Sequence, residues 1–386
     1  MAIFNDYIIG FWNYTKCGEL NAEESVKEWQ ELGLNFAMTS NYETAEDKDY
    51  ILQVLNECEK RNIKAVVCSN KTLWTALTAN GEEAYEKAVC EIAEAFGKHP
   101  AFYALSVGDE PHCYEWEDMQ KAVKIVNKHA RAYINFLPIV ESDRQHKEGL
   151  GVPKKDYYSL LVNTVKLTGL QYLSYDCYTQ CNVHNAEKGL NNYFENLNCF
   201  KKASDESGVP FITTLLCVGH WNYREPTEDD IRWQISTVAA HGAKGILWFF
   251  IYERQVDSSY RNPPVNFMNE KTRTYEYLKR QNTIFAHNTA QKLFNAKLIQ
   301  TYHYKKAYGG TKKYKNGCIK DFKIKTLYGN PLIISGFEDA HGEFYMIVNN
   351  SQRDVEQIDA YIGGERFKEW LAPGQSVILS KKEGKR

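Results

Sequence analysis

No stretch of this 386-residue chain approaches the ~18 consecutive apolar residues of a membrane span. Charge of neither sign dominates: 47 basic residues stand against 49 acidic ones, a net of −2, so no global field draws the chain to nucleic acid or anionic lipid. The opening segment, MAIFNDYIIGFWNY, lacks a basic start, a long apolar centre and a small-residue cleavage site, and no secretory leader is expected. The ten cysteines (17, 58, 68, 90, 113, 177, 181, 199, 217, 318) form no paired framework. That scatter argues against a disulfide scaffold and fits buried thiols in a reducing cytoplasm. Cys177 and Cys181 are four apart, but no second Cys/His pair at metal spacing follows, so neither a metal nor another cofactor is expected. Aromatic residues, by contrast, are plentiful: 26 Tyr, 18 Phe and 8 Trp. Core packing absorbs most such rings, and the rest suit a cleft that stacks on flat apolar faces, such as those of a sugar.

Short apolar runs alternate with longer segments of helical period. Strands are expected at 7–14, 34–40, 64–70, 101–111, 133–142, 172–180, 210–221 and 245–253. Each is followed by an amphipathic helix, at about 22–33, 44–62, 81–97, 116–132, 156–169, 191–208, 228–242 and 269–294. Near-continuous apolar strands separated by helices imply a parallel sheet covered on its outside. Eight repeats imply an α/β fold closed as a (β/α)8 TIM barrel, with a doubly wound open sheet as the other solution. From about Ala296 the pattern changes to period two: KLIQTYHY, FKIKTLYG, PLIISGFED, GEFYMIVNN, EQIDAYIGG and QSVILS, broken by glycine turns. The expected division is a catalytic barrel over 1–295 and a small antiparallel β-sandwich over 296–386. Lysines at 305, 306, 312, 313, 315, 320, 323 and 325 read as a solvated face.

In a barrel of this kind the chemistry sits at the C-terminal strand ends. The residues there are Trp12, Asn13 and Tyr14; Ser40, Asn41 and Tyr42; Ser69 and Asn70; Asp109 and Glu110; Glu141; Asp176, Tyr178 and Gln180; His220 and Trp221; and Trp248, Tyr252 and Glu253. Carboxyls at four of eight strand ends, interleaved with rings, form the pattern of a sugar cleft. Any one acid alone reads equally well as a helix cap or an ion-pair partner. The segment ALSVGDEPH is the sharpest feature, because an apolar strand runs into two adjacent acids and a proline.

The Gly-Asp-Glu-Pro motif resembles the clan of (β/α)8 glycoside hydrolases whose acid/base glutamate ends the fourth strand, often as Asn-Glu-Pro. The stretch IRWQISTVAAHGAKGILWFFIYE is similar to the strand 7–helix–strand 8 region of β-galactosidase-like barrels, and LAPGQSVIL to the accessory domain that often closes such chains. The resemblance implies that Glu110 is the general acid, its proton held by burial and by the neighbouring charge of Asp109. It also implies a nucleophilic glutamate at the end of the seventh strand. This chain has His220 there, and its next acid is Glu225 in the following loop. Asp176, Glu253 or Glu225 is then the second carboxylate. Asp176 is the nearer and can orient substrate or act as base, whereas Glu253 across the barrel would favour inversion. Trp12, Trp221 and Trp248 are expected to border one pocket, with Asn41, Asp109, Glu141, Tyr178 and His220 as further sugar contacts.

Two other functions fit the same residues. Glu110, Glu141, Asp176, His220 and Glu253 converging on a divalent ion would make a sugar isomerase, epimerase or lyase, although such barrels usually carry more histidines. The missing seventh-strand glutamate also suits a carbohydrate-binding barrel without catalysis. In each case the expected partner is a carbohydrate, with no nucleic acid and no membrane; a homo-oligomer is left open.

Overall fold

The computed structural model describes residues 6–140, 142–254 and 259–380. Eight parallel strands form two arcs. The first contains β1 (Ile8–Phe11), β8 (Gly245–Phe249), β7 (Phe211–Leu216) and β6 (Leu173–Asp176), in that spatial order. The second contains β2 (Phe36–Asn41), β3 (Lys64–Cys68), β4 (Phe102–Asp109) and β5 (Ala132–Asn135). Two seams join them. Asn35 N–H donates to the Ile9 carbonyl at 2.9 Å while its side chain accepts from Ile9 N–H at 2.8 Å. On the other side Phe136 N–H donates to the Ser174 carbonyl at 2.7 Å. The result is a closed barrel with helices outside it.

Strand parity divides the core. Ile8, Phe36, Met38, Val66, Ala104, Tyr133, Ile212 and Leu247 fill the barrel interior. Their alternates, among them Ile9, Ala37, Val67, Leu105, Ile134, Leu215, Ile246 and Trp248, pack outward against the helices. The helices begin where their caps dictate. Thr227 accepts from Asp230 N–H at 3.2 Å and Asp230 returns a bond to Thr227 N–H at 2.8 Å, starting the helix Glu228–Ala240.

Eight further strands follow: β9 (Lys297–Tyr304), β10 (Lys312–Lys313), β11 (Phe322–Thr326), β12 (Leu332–Asp339), β13 (Gly342–Asn349), β14 (Glu356–Ile362), β15 (Glu365–Leu371) and β16 (Ser376–Ser380). They make a five-stranded sheet, β10-β9-β12-β13-β16, and a three-stranded antiparallel sheet, β11-β14-β15. Ile324, Ile334, Ile347, Ile358 and Leu379 fill the space between the two sheets. The other face of the larger sheet contributes Ile333, Phe337, Met346 and Val348 to the main core. Contact with the barrel is close: Trp233 Nε1 donates to Asn350 at 3.0 Å and Arg232 Nε to the Pro373 carbonyl at 2.8 Å. Gly374 has φ +68°, and a β-carbon on it would stand 2.4 Å from the Trp233 backbone, so only glycine fits.

The structure differs from the sequence expectations in detail. Most strands stop earlier, β5 at Asn135 in place of 142, and Pro138, Ile139 and Val140 beyond it line a cavity from the loop. Helices Trp74–Asn80 and Asp143–Leu150 and strand β15 were not expected. The helix expected at 191–208 begins at Ala186, capped by Asn185. Among the described residues no helix is long and apolar enough to cross a membrane.

Candidate active site

Strand alternation would send Asp109 and Glu110 to opposite sides of β4. Two backbone features prevent this. The β4–β5 register slips between Ser106 and Gly108, so that Asp109 pairs with Asn135. Gly108 sits at φ +146°, where a β-carbon would collide with the Trp74 ring at 1.8 Å. Glu110 then takes φ +50° with its N–H bonded to the Asn135 carbonyl at 2.9 Å, and Pro111 follows, buried. Both acids therefore line one cavity of about 490 Å³ at the C-terminal mouth of the barrel.

Asp176, at the end of β6, faces the same space. Asn135 Nδ2 lies 3.0 Å from Asp109 Oδ1 and 2.9 Å from Asp176 Oδ1. The Tyr178 hydroxyl and the Glu110 carboxyl lie close to Asp176 as well. Three carboxyls in a recessed wall perturb each other strongly. Burial, then the charges of Asp176 and Asp109, push Glu110 up to about 9. Burial and the Asp176 charge push Asp109 up to about 7, against the pull of its Asn135 bond. Asp176 is also raised, burial outweighing the Asn135 bond and its other polar neighbours. Asp109 is accessible to solvent within the cavity, yet protein surrounds it on most sides, so this access does not restore bulk hydration.

The opposite wall is aromatic. Trp12 Nε1 donates to Thr214 Oγ1 at 3.1 Å, and its ring stacks beside Tyr14 at 6.4 Å. Phe249 stacks on Tyr178 at 5.5 Å. Beyond β7, Trp221 and Asn222 form the tip of a tight turn closed by His220 and Tyr223, whose backbones bond both ways at 3.1 and 2.7 Å. Trp221, at φ +46°, is 70% exposed. The His220 ring lies between Trp221 at 4.2 Å and Tyr260 at 5.0 Å. Arg261 braces this turn through the carbonyls of Trp221 and Tyr223, at 3.3 and 2.7 Å.

The cavity thus gathers Trp12, Asp109, Glu110, Asp176, Tyr178, His220 and Trp221. Four sequence-derived candidates do not join them, one being Glu225, which is exposed in the loop after β7 and outside the cavity. Trp248 has outward parity between Leu247 and Phe249; it is fully buried and its Nε1 donates to Asn282 at 3.1 Å among the outer helices. Glu253 is buried away from the cavity in the loop after β8, where it accepts from the Phe267 backbone and its N–H donates to Val265 at 2.9 Å. Asn41 is exposed at the end of β2, outside the cavity. Glu141 lies outside the described residues. Sequence reasoning missed Asn135, Tyr223 and Phe249; Asn135 was findable as an amide at the inward position of the strand between two acid-bearing ones.

No family model matches the chain, and no curated protein does. Solved structures do match in fold. A glycoside hydrolase family 5 protein from Bacteroides vulgatus is 11% identical at a TM-score of 0.58, over 96% of this chain and 89% of that one. The β-galactosidase of the Antarctic haloarchaeon Halorubrum lacusprofundi is 11% identical at 0.53, over 72% of this chain and 58% of its own. The β-galactosidase of Marinomonas ef1 is 10% identical at 0.52, over 72% and 59%. The chain therefore spans less than two thirds of these β-galactosidases. What it shares with all three is the barrel fold.

Proposed function

We propose that the protein is a glycoside hydrolase in which Glu110 protonates the leaving glycosidic oxygen. In this reading residues 1–295 form the catalytic unit and 296–386 an accessory β unit. The observation that carries it is the pairing of a carboxyl held protonated near neutrality with ionisable neighbours, facing an aromatic wall across a cavity of small-molecule size. Rings on one side stack on pyranose faces, and the acids opposite bind hydroxyls and move the proton.

Asp176 lies directly against Glu110. That is much closer than the ~5–5.5 Å of a retaining acid–nucleophile pair. Its role is therefore to hold the acid's proton and, once ionised, to supply negative charge to an oxocarbenium-like transition state. Asp109 is the carboxylate left to bind a substrate hydroxyl or water. Glu253 takes no part. Among the described residues, every carboxyl lining the cavity lies on the β4–β6 wall. The hydrolytic reading is favoured over the metal-dependent one because, among the described residues, no three His, Cys, Asp or Glu side chains are grouped so as to hold a metal ion.

The test is a screen of nitrophenyl glycosides and oligosaccharides, with products identified by chromatography. Release of a free sugar, lost in Asp176→Asn, is the expected result. Tight binding of a sugar without turnover would replace this reading with the carbohydrate-binding one.

A further inference from the structure

Three carboxyls crowd the β4–β6 wall, and only one of them can serve as the acid. Asn135, between them on β5, is 1% exposed and offers both of its amide hydrogens, one to Asp109 and one to Asp176. The identity of that nitrogen follows from its two carboxylate contacts, which need a donor. Ser174 Oγ donates to Asn135 Oδ1 at 3.0 Å, which uses the hydroxyl's single hydrogen. Ser174 must then accept from the Tyr133 hydroxyl at 3.1 Å. Donation runs one way, from Tyr133 through Ser174 to Asn135 and on to the two aspartates. A flipped amide would aim its carbonyl oxygen at two carboxyls.

An N–H donor is better met by a carboxylate than by a carboxylic acid, since hydrogen bonds to ionised acceptors are roughly twice as strong. Glu110 receives no such bond from the Asn135 side chain; its carboxyl instead lies against Asp176. We propose that Asn135 is a positioning residue: by holding Asp109 and Asp176 as acceptors, it leaves the proton of the Glu110–Asp176 pair on Glu110. The proposal rests on the reading of Glu110 as the acid. The electrostatics agree, because the Asn135 bonds pull both aspartates down while Asp176 and Asp109 push Glu110 up.

Removing the amide should send the proton the other way. In Asn135→Ala both aspartates lose a donor and hold protons more readily. Once neutral, they no longer raise Glu110. Carboxyl 13C NMR titration of the folded protein reads this without substrate: Glu110 should titrate roughly one pH unit lower, and the aspartates higher. On an unactivated glycoside, the bell-shaped kcat/KM profile should narrow from both sides. Its acid limb moves up and its alkaline limb moves down. Ser174→Ala, which keeps the amide but frees it to turn, should shift both in the same direction by less, and it carries the test if Asn135→Ala does not fold. A uniform fall in rate with both limbs and the Glu110 titration unmoved would overturn the proposal. A shifted titration in a protein whose wild type cleaves no glycoside would uphold the proton placement and defeat the hydrolase reading.

Discussion

The acidic wall of the cavity is built from the ends of three adjacent strands, whereas the aromatic wall opposite hangs largely on the loops after β1, β7 and β8. On the first, Asp109, Asn135 and Asp176 are tied to one another through strand register and bonds of 2.9–3.0 Å. On the second, Trp221 sits at the tip of a turn braced by Arg261, with most of its surface open. Proton placement tolerates little displacement and so belongs on the barrel itself. Stacking on a sugar face is far less exacting, and a loop can provide it. Substitutions on the two walls should therefore fail differently.

The largest effect is expected from Asp176→Asn. It keeps the shape but removes the charge that holds the acid's proton and faces the transition state, and turnover should fall roughly 10³-fold on activated and unactivated substrates alike. Trp221→Ala should instead raise KM about tenfold with kcat nearly unchanged, as expected from the loss of one stacking contact. Steady-state kinetics on one substrate distinguishes the two; a kcat defect in Trp221→Ala would erase the contrast between the walls. Wild-type kcat/KM should rise as pH climbs through about 7, where Asp109 ionises, and fall above about 9, where Glu110 loses its proton.

Stability should show the cost of the acidic wall. The Glu110 carboxyl is raised from an ordinary 4.5 to about 9. The fold thus favours its neutral form over its ionised one, so its contribution is fully present below 4.5 and is lost as pH rises towards 9. Glu110→Gln should melt like the wild type near pH 4.5 and a few °C higher near pH 9, by scanning calorimetry. On the aromatic side, Trp248→Phe strands the Asn282 carbonyl and should cost about 1–3 kcal/mol of stability. It should leave KM unchanged, because Trp248 never reaches the cavity.

The barrel was legible because eight apolar runs with intervening helical period admit few folds, and three of the acids at strand ends line the cavity at its mouth. Trp248 shows what a linear reading loses: its neighbours Leu247 and Phe249 face inward, so parity turns it outward, and proximity to a strand end does not correct for that. The bulge at Gly108 is harder, since only the Trp74 ring explains it and Trp74 is distant in sequence. Strand β15, ERFKEWL, has four charged residues among seven and leans inward chiefly through Phe367 and Leu371, so its alternation is weak. Glu253 was misplaced because the chain after β8 turns away from the mouth, bonding towards Val265 and Phe267.

The central claim is that Glu110 is a proton donor, and leaving-group dependence tests it most directly. Glu110→Gln keeps the side chain's size and its ability to donate to Asp176 but has no transferable proton. Its kcat/KM should fall about 10²–10⁴-fold on a glycoside with a poor leaving group and far less on a dinitrophenyl glycoside of the same sugar, whose leaving group departs without protonation. Equal losses on both substrates, or wild-type rates on the unactivated one, would contradict it.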